Sequence, residues 1–116
     1  MSKEVIEPKL AELMDAVAEC EGLIAADPEG NVIIGQTITE MDHGKIASEC
    51  ASILKDSQNL ANGINKGSIR NTTIELENGF AIIVGSEKIV LIALVGIDGK
   101  ASLGLLKRNL TSIVNL

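Results

Sequence analysis

The stretch Glu21-Gly-Leu-Ile-Ala-Ala-Asp-Pro-Glu-Gly-Asn-Val-Ile-Ile-Gly35 decides the fold of this chain. Two short apolar runs, Leu23–Ala26 and Val32–Ile34, flank the segment Asp27–Asn31, which contains a proline and a glycine. Proline fixes φ and glycine tolerates positive φ, so the segment predicts a tight turn and the two runs predict a β-hairpin. Helical patterns lie on both sides of this hairpin. The order indicates a small domain of the mixed α/β class.

The first helix precedes the hairpin. It is predicted to begin near Pro8, because proline suits a first helical turn, and to end before Gly22. Residues 1–7 are then expected to fray. The stripe that identifies it has the helical spacing i, i+3, i+4 and i+7 and consists of Leu10, Leu13, Met14 and Val17.

Two further helices are predicted downstream. Asp42 is the predicted N-cap of a long second helix that ends between Asn62 and Gly67. Its apolar stripe consists of Ile46, Cys50, Ile53, Leu54, Leu60, Ala61 and Ile64. The turn Asp98-Gly99-Lys100 leads into a last helix with Leu103, Leu106, Leu110 and Ile113 on one face.

Three strands are predicted between the second and third helices. The segment 68–76 is rich in β-branched and polar residues, whereas Phe80–Val84 and Ile89–Val95 are apolar on both alternate sets. Apolar strands of that kind are covered on both faces, and the short connections make neighbours antiparallel. Placing them centrally gives a five-stranded sheet in the order 2-1-5-4-3. The long helix lies on one face and the other two helices lie on the opposite face.

Composition limits the partners that this chain can have. Its 116 residues predict one domain over residues 1–116. One Phe, no Trp and no Tyr leave few platforms for stacking bases or flat cofactors, and the net charge of −6 disfavours nucleic acid and anionic membranes. The longest apolar run, Ile89–Val95, is far shorter than the roughly 20 residues that a bilayer requires. Charges near the N-terminus do not fit a signal peptide. Cys20 and Cys50 are expected to be reduced, packed thiols, because nothing in the sequence indicates secretion. These features predict a cytoplasmic protein.

No residue constellation predicts catalysis, a metal or a cofactor. His43 is the only histidine, so neither a nucleophile with a base nor a zinc ligand set can be identified, and we expect it at the helix surface. The segment Gly96–Ser102 resembles a phosphate loop superficially. However, Leu94 occupies the first-glycine position of the pattern and Ala101 replaces its hydroxyl residue. The sequence therefore predicts a non-enzymatic protein without a cofactor.

Two surfaces lack an explanation in a monomer. The polar strand at 68–76 would be an exposed sheet edge, which is a template for pairing with another chain. The second helix carries a flank of small residues, where another backbone could approach closely. Homodimerisation would cover both surfaces. The predicted interface consists of Ile69, Arg70, Asn71, Thr72, Thr73 and Ile74 on the strand, and of Ala47, Ala51 and Leu54 on the helix.

The whole pattern resembles the Roadblock family, also called the dynein light-chain roadblock family. The resemblance is carried by Glu21–Gly30, by the long alanine- and serine-bearing helix, by the strands Phe80–Val84 and Ile89–Val95, and by Ala101–Lys107. The short, insertion-free chain resembles the prokaryotic members, which include the MglB-type proteins, more than the dynein subunits. The resemblance implies a profilin-like α/β/α domain that dimerises through third strands and second helices, and that binds small Ras-like GTPases as a regulator or scaffold.

The polar face of the second helix is either a solvated surface or, as the resemblance implies, part of a GTPase-docking surface. It carries Lys45, Glu49, Lys55, Asp56, Gln58, Asn59 and Asn62. Lys107 and Arg108 on the last helix are either solvated charges or a second partner surface. Two other functions remain open: a structural adaptor that pairs with another roadblock chain, and a small-ligand sensor, which would require an internal cavity.

Overall fold

The computed structural model of the chain describes residues 2–116, in which three helices and a five-stranded sheet form three layers. The elements in chain order are α1 (Lys3–Ala16), β1 (Cys20–Ala26), β2 (Val32–Thr37), α2 (His43–Ile64), β3 (Thr72–Leu76), β4 (Gly79–Gly85), β5 (Val90–Gly96), the 3-10 helix η1 (Ile97–Ser102) and α3 (Leu103–Val114).

The sheet has the predicted strand order, β2-β1-β5-β4-β3, and every neighbouring pair is antiparallel. β1, β4 and β5 are nearly continuously buried, as their apolar sequences predict. The edge strand β3 is half-buried at alternate positions and exposed at the others. The predicted mixed α/β architecture is therefore confirmed.

The turn of the β1–β2 hairpin is fixed by Asp27. Its Oδ1 accepts hydrogen bonds from the backbone N–H groups of Glu29 and Asn31 at 3.0 and 2.9 Å, and Oδ2 accepts one from the Asn31 side chain at 3.1 Å. The Asn31 bonds are the main cause that lowers the pKa of Asp27. Gly30 has a φ of +90°, and a Cβ there would lie 2.8 Å from Cα of Ser48, so the turn packs directly on the α2 backbone.

The sheet separates two hydrophobic cores. The larger core lies beneath α1 and α3, where Ile6, Leu106 and Leu110 are fully buried against Leu91 of β5. The smaller core lies beneath α2. Its buried members are Ile24, Ala26, Ala47, Cys50, Ile83, Val90 and Ile92. One long helix on one face and two helices on the other match the predicted layers.

Helix α1 begins earlier than Pro8. It starts at Lys3 and places Pro8 inside, so residues 3–7 are helical and the expectation that they fray is wrong. The reason is Ile6, which extends the stripe of Leu10 and Leu13 by one turn and is fully buried. Burial of this side chain offsets the backbone hydrogen bond that proline removes.

Strand β3 is shorter than predicted. It begins at Thr72, and the preceding residues Ile69, Arg70 and Asn71 form an irregular approach to the strand. The apolar stripe of α2 is also split. Its first half faces the sheet, whereas Leu60 and Ile64 near the end of the helix are exposed. The helix is longer than the sheet surface that it can cover.

Candidate functional site

The free edge of β3 presents main-chain groups in a defined pattern. Leu76 pairs with Gly79 across the two-residue turn Glu77–Asn78, and only a pair that exchanges both hydrogen bonds can flank such a turn. Alternation then directs the N–H and C=O groups of Ile74 and Thr72 towards β4. The corresponding groups of Thr73 and Glu75 point away from it. In the part of the chain that the structure describes, no strand pairs with this edge.

The edge strand is tied to α2 by side-chain hydrogen bonds. Thr72 donates its hydroxyl hydrogen to Ser57 Oγ at 2.9 Å, and Ser57 donates to the carbonyl oxygen of Ile53 at 2.8 Å. Gln58 Oε1 accepts a 3.4 Å hydrogen bond from the backbone N–H of Ile69. Gln58 also donates to Asn62 at 2.9 Å. Gln58, predicted as a partner-binding residue, is thus half-buried and holds the loop before β3 against the helix.

An exposed apolar stripe runs along α2 on the side of β3. Leu60 and Ile64 follow Ser57 at i+3 and i+7, and their exposures are 65% and 54%. Since Ser57 bonds to β3, these two side chains lie towards the sheet edge. Leu76 of β3 is 57% exposed, and its strand alternation puts it on the same face of the sheet as Ile74 and α2. Strand and helix together present apolar surface at one edge.

The predicted small-residue flank of α2 lies elsewhere. Ala47 and Ala51 are buried within the single chain, and Ala47 belongs to the core beneath the helix. Their small side chains allow the β1–β2 turn and the sheet to approach the helix closely, so within the single chain they leave little surface for a second copy. Leu54 is half-buried, with its side chain against Gly85. The helix surface that is open at the β3 edge consists instead of Leu60 and Ile64.

The polar face of α2 points to solvent along the whole helix. Helical spacing aligns Lys45, Glu49, Asp56 and Asn59 in one row. The exposed members of the predicted partner-binding set are Lys45, Glu49, Lys55, Asp56, Asn59 and Asn62. This surface carries both charges and neutral amides, so it can form hydrogen bonds and ion pairs with a protein.

A cationic cleft lies where β3 begins, on the opposite face of the sheet from α2. Its volume is about 710 Å³, and it brings together Arg70, Lys107 and Arg108. These include both arginines of the chain. The remaining lining residues are apolar or neutral polar, and no carboxylate is among them. They are Ile69, Asn71, Val84, Gly85, Thr111, Ser112, Val114 and Asn115.

His43 is half-buried and contacts β2, whereas the sequence predicts it at the helix surface. Its Nε2 lies 3.0 Å from the Thr37 hydroxyl, and the ring packs against Gly35, where a Cβ would lie 2.7 Å from Nδ1. Residues 2–116 contain no cluster of three potential metal ligands. His43 therefore packs α2 onto the end of β2.

The core of the described residues is apolar apart from two thiols. Cys20 and Cys50 are buried free thiols on opposite faces of the sheet. Burial is the main cause that raises both thiol pKa values, that of Cys50 to about 11. Throughout the described chain, no polar or charged side chain is buried. The sensor hypothesis requires polar groups that orient a bound ligand, and the core of these residues supplies none.

A small α/β domain with an unpaired sheet edge, and with exposed apolar side chains beside that edge, belongs to the class of protein-interaction modules. The Roadblock/LC7 domain model matches residues 8–95. The chain therefore belongs to the Roadblock/LC7 domain family, whose members are in general regulatory or adaptor domains rather than enzymes.

Solved structures share this fold at low sequence identity. A Roadblock/LC7 domain from Streptomyces avermitilis is 14% identical, with a TM-score of 0.79, and the match covers 90% of this chain and 88% of that one. Myxococcus xanthus MglB is 18% identical, with a TM-score of 0.79 and coverage of 97% and 96%. Schizosaccharomyces pombe profilin is 10% identical, with a TM-score of 0.60 and coverage of 86% of each chain. The predicted profilin-like fold is thereby confirmed. No curated protein sequence gives a significant match.

No helix between residues 2 and 116 has the length and apolar character needed to cross a bilayer.

Proposed function

We propose that two copies of this chain form a homodimer through the free edge of β3 and the neighbouring side of α2, and that the dimer binds a small Ras-like GTPase in the cytoplasm as a regulator or scaffold. The observation that carries the proposal is the unpaired edge of β3. Its outward main-chain groups at Thr73 and Glu75 share the strand with the exposed Leu76, and Thr72 of the same strand bonds to α2, which carries the exposed Leu60 and Ile64.

Pairing of two β3 strands would satisfy the main-chain groups that face away from β4. The antiparallel two-fold arrangement presents the same surface on both copies, which is the geometry of an isologous dimer. Approach of the two α2 helices would remove Leu60 and Ile64 from water. Stable interfaces bury about 1,200–2,000 Å² in total, an area that one strand and one long helix per subunit can supply.

The GTPase is assigned to the exposed polar face of α2. In a dimer with adjacent α2 helices, two such faces would form one broad platform. Arg70 and Arg108 cannot serve there as arginine fingers, because their cleft opens on the opposite face of the sheet. Any stimulation of GTP hydrolysis is therefore indirect. The dimer would stabilise one arrangement of the GTPase switch loops.

Light scattering first tests the dimer. The chain contains neither Trp nor Tyr, so refractive index or absorbance by the peptide bond must be used to detect it. A stable dimer of the purified chain is expected. A monomer that dimerises only with a second roadblock chain would favour the structural-adaptor alternative and contradict the homodimer.

Pull-down then tests the GTPase. GTPases from the same genome, loaded with GTP or GDP analogues, are incubated with the wild-type chain and with Lys55→Glu/Asn59→Lys, which alters the polar face of α2. We expect binding in one nucleotide state and at least about tenfold weaker binding by the double variant, which corresponds to about 1.4 kcal/mol. The control, Lys9→Gln, changes the net charge by the same one unit as the double variant and alters α1 on the other face of the sheet. Binding of no GTPase in either state would contradict the proposed function.

A further inference from the structure

The cationic cleft is unusual for the charge of this chain. The chain has sixteen acidic and ten basic residues, yet no carboxylate lines this cleft, whereas Arg70, Lys107 and Arg108 do. Arg70 and Arg108 are exposed and Lys107 is half-buried, so the cations face a solvent-filled groove. Clustering of like charges in the absence of a compensating anion is unfavourable. An anionic group from outside the chain would relieve it.

The cleft is continuous with the edge that we propose as the dimer interface. Ile69, Arg70 and Asn71 both line the cleft and lead directly into β3. A second copy paired along β3 would therefore lie at the mouth of the cleft. This position favours a second copy as the source of the anionic group.

The alternating directions of the main-chain groups along β3 restrict how two β3 strands can pair. Since Thr73 and Glu75 direct their main-chain groups outward, an antiparallel pair can have its two-fold axis at Thr73, at Ile74 or at Glu75. An axis at Glu75 places two carboxylates directly opposite each other, which is destabilising. The axis at Ile74 brings the two Ile74 side chains together and sets Leu76 opposite Thr72. This arrangement covers apolar surface that a monomer exposes.

Each of the two favourable registers brings a carboxylate to the cleft. With the axis at Ile74, Glu77 of the partner subunit lies opposite Asn71, and with the axis at Thr73, the partner subunit's Glu75 does so. Glu75 pairs with Phe80 of β4, which packs in the core beneath α1 and α3. Its side chain therefore projects on the face of the sheet where the cleft lies.

We infer that the cationic cleft receives the acidic end of β3, Glu75 and Glu77, from a second copy of this chain. The inference rests on the proposed homodimer and specifies how that dimer is held in register. Two such contacts form in each dimer, because the two-fold axis duplicates them. Charge complementarity at the rim of an interface mainly selects partner and register. The contact would reject roadblock chains that lack one of the two charge sets.

Charge reversal tests the inference. Arg70→Glu/Arg108→Glu makes the cleft acidic, and Glu75→Lys/Glu77→Lys makes the strand end basic. Each variant alone places like charges together, so we expect its dimer dissociation constant to rise about tenfold or more at low salt. An equal mixture of the two variants restores opposite charges at both contacts and should form a heterodimer close to wild-type affinity. Sedimentation with interference optics measures all three.

Two controls keep the result specific. Lys3→Glu/Lys9→Glu changes the net charge by the same amount as the arginine variant, but it lies on α1, which packs over β1 and β2. It should leave the dissociation constant within about threefold of wild type. Circular dichroism of every variant establishes that it is folded.

The outcomes separate the two proposals. A wild-type chain that is monomeric at all concentrations contradicts the proposed homodimer itself. A wild-type dimer whose affinity is unchanged by both reversals and by raised salt overturns the cleft contact alone. Weakening by both variants without rescue in their mixture also overturns it, since a direct contact requires that rescue.

Discussion

The hydroxyl of Thr72 on β3 donates a hydrogen bond to the hydroxyl of Ser57 on α2 at 2.9 Å. Ser57 in turn donates a hydrogen bond to the backbone carbonyl oxygen of Ile53, so the edge strand is connected to α2 through two hydrogen bonds. Strand and helix are the two parts of the proposed dimer interface. Their connection within one chain means that both are positioned before a second copy binds.

Ser57→Ala breaks this connection. The variant leaves the Thr72 hydroxyl half-buried without its acceptor, so we expect the free energy of unfolding to fall by about 1 kcal/mol. Urea denaturation of the variant and of Ser52→Ala measures the effect. Ser52 is exposed on the same helix, and its substitution should change stability by less than about 0.5 kcal/mol. Equal effects of the two substitutions would show that the hydrogen bond contributes nothing.

Thr73→Pro tests the strand edge. The N–H of Thr73 points away from β4, so its removal should leave the subunit folded while eliminating a donor that pairs with the second copy. Sedimentation should show a predominantly monomeric variant. Thr73→Val serves as the control for the lost hydroxyl group and should remain dimeric.

Proline at the adjacent position, Thr72, should destabilise the subunit rather than only the dimer. The N–H of Thr72 is directed towards β4, so Thr72→Pro should lower the melting temperature of the subunit itself. If Thr73→Pro is folded and still dimeric, the pairing of β3 edges is wrong.

Ile92→Ala tests the core beneath α2. Ile92 is fully buried in the central strand β5, so the cavity left by the substitution should reduce the free energy of unfolding by about 2–5 kcal/mol. Ile97→Ala is the matched control because Ile97 is 59% exposed. Chemical denaturation of both variants should show a large loss only for Ile92.

Alkaline pH should destabilise the chain through Cys50. Burial raises the pKa of this thiol from 9.0 to about 11, so the unfolded chain releases the proton at a lower pH than the folded chain does. The contribution is fully present below pH 9 and is lost as the pH rises towards 11. Denaturation midpoints between pH 8 and 11 should fall less steeply for Cys50→Ala than for wild type. Identical slopes would contradict a raised pKa at this position.

Much of the architecture followed from local patterns. The turn at Asp27–Asn31, the N-cap at Asp42 and the buried character of β4 and β5 are encoded in short segments. Asp42 indeed accepts a hydrogen bond from the backbone N–H of Lys45 at 3.0 Å. Strand order followed because short connections and apolar content together leave few arrangements. The boundary at Pro8 could not be predicted, since it depended on the burial of Ile6 by distant elements.

The candidate site was less accessible from sequence. Helical periodicity identifies Leu60 and Ile64 as apolar members of a stripe but does not tell where the sheet beneath the helix ends. The burial of Ala47 and Ala51 within the chain could not be predicted for a related reason, because small residues indicate close approach without identifying the element that approaches. The outward orientation of the Thr73 and Glu75 main-chain groups could have been predicted, since the two-residue turn Glu77–Asn78 fixes which residues of β3 bond to β4.

The sequence by itself determined the elements, their order in the sheet and the absence of an identifiable catalytic constellation, because each depends on neighbouring residues or on composition. Only the tertiary structure decided which surfaces remain open, including the free side of β3 and the end of α2. It also brought Arg70 together with Lys107 and Arg108, which lie on separate elements. Exposure and convergence are properties of the packed chain, since they depend on what distant segments cover.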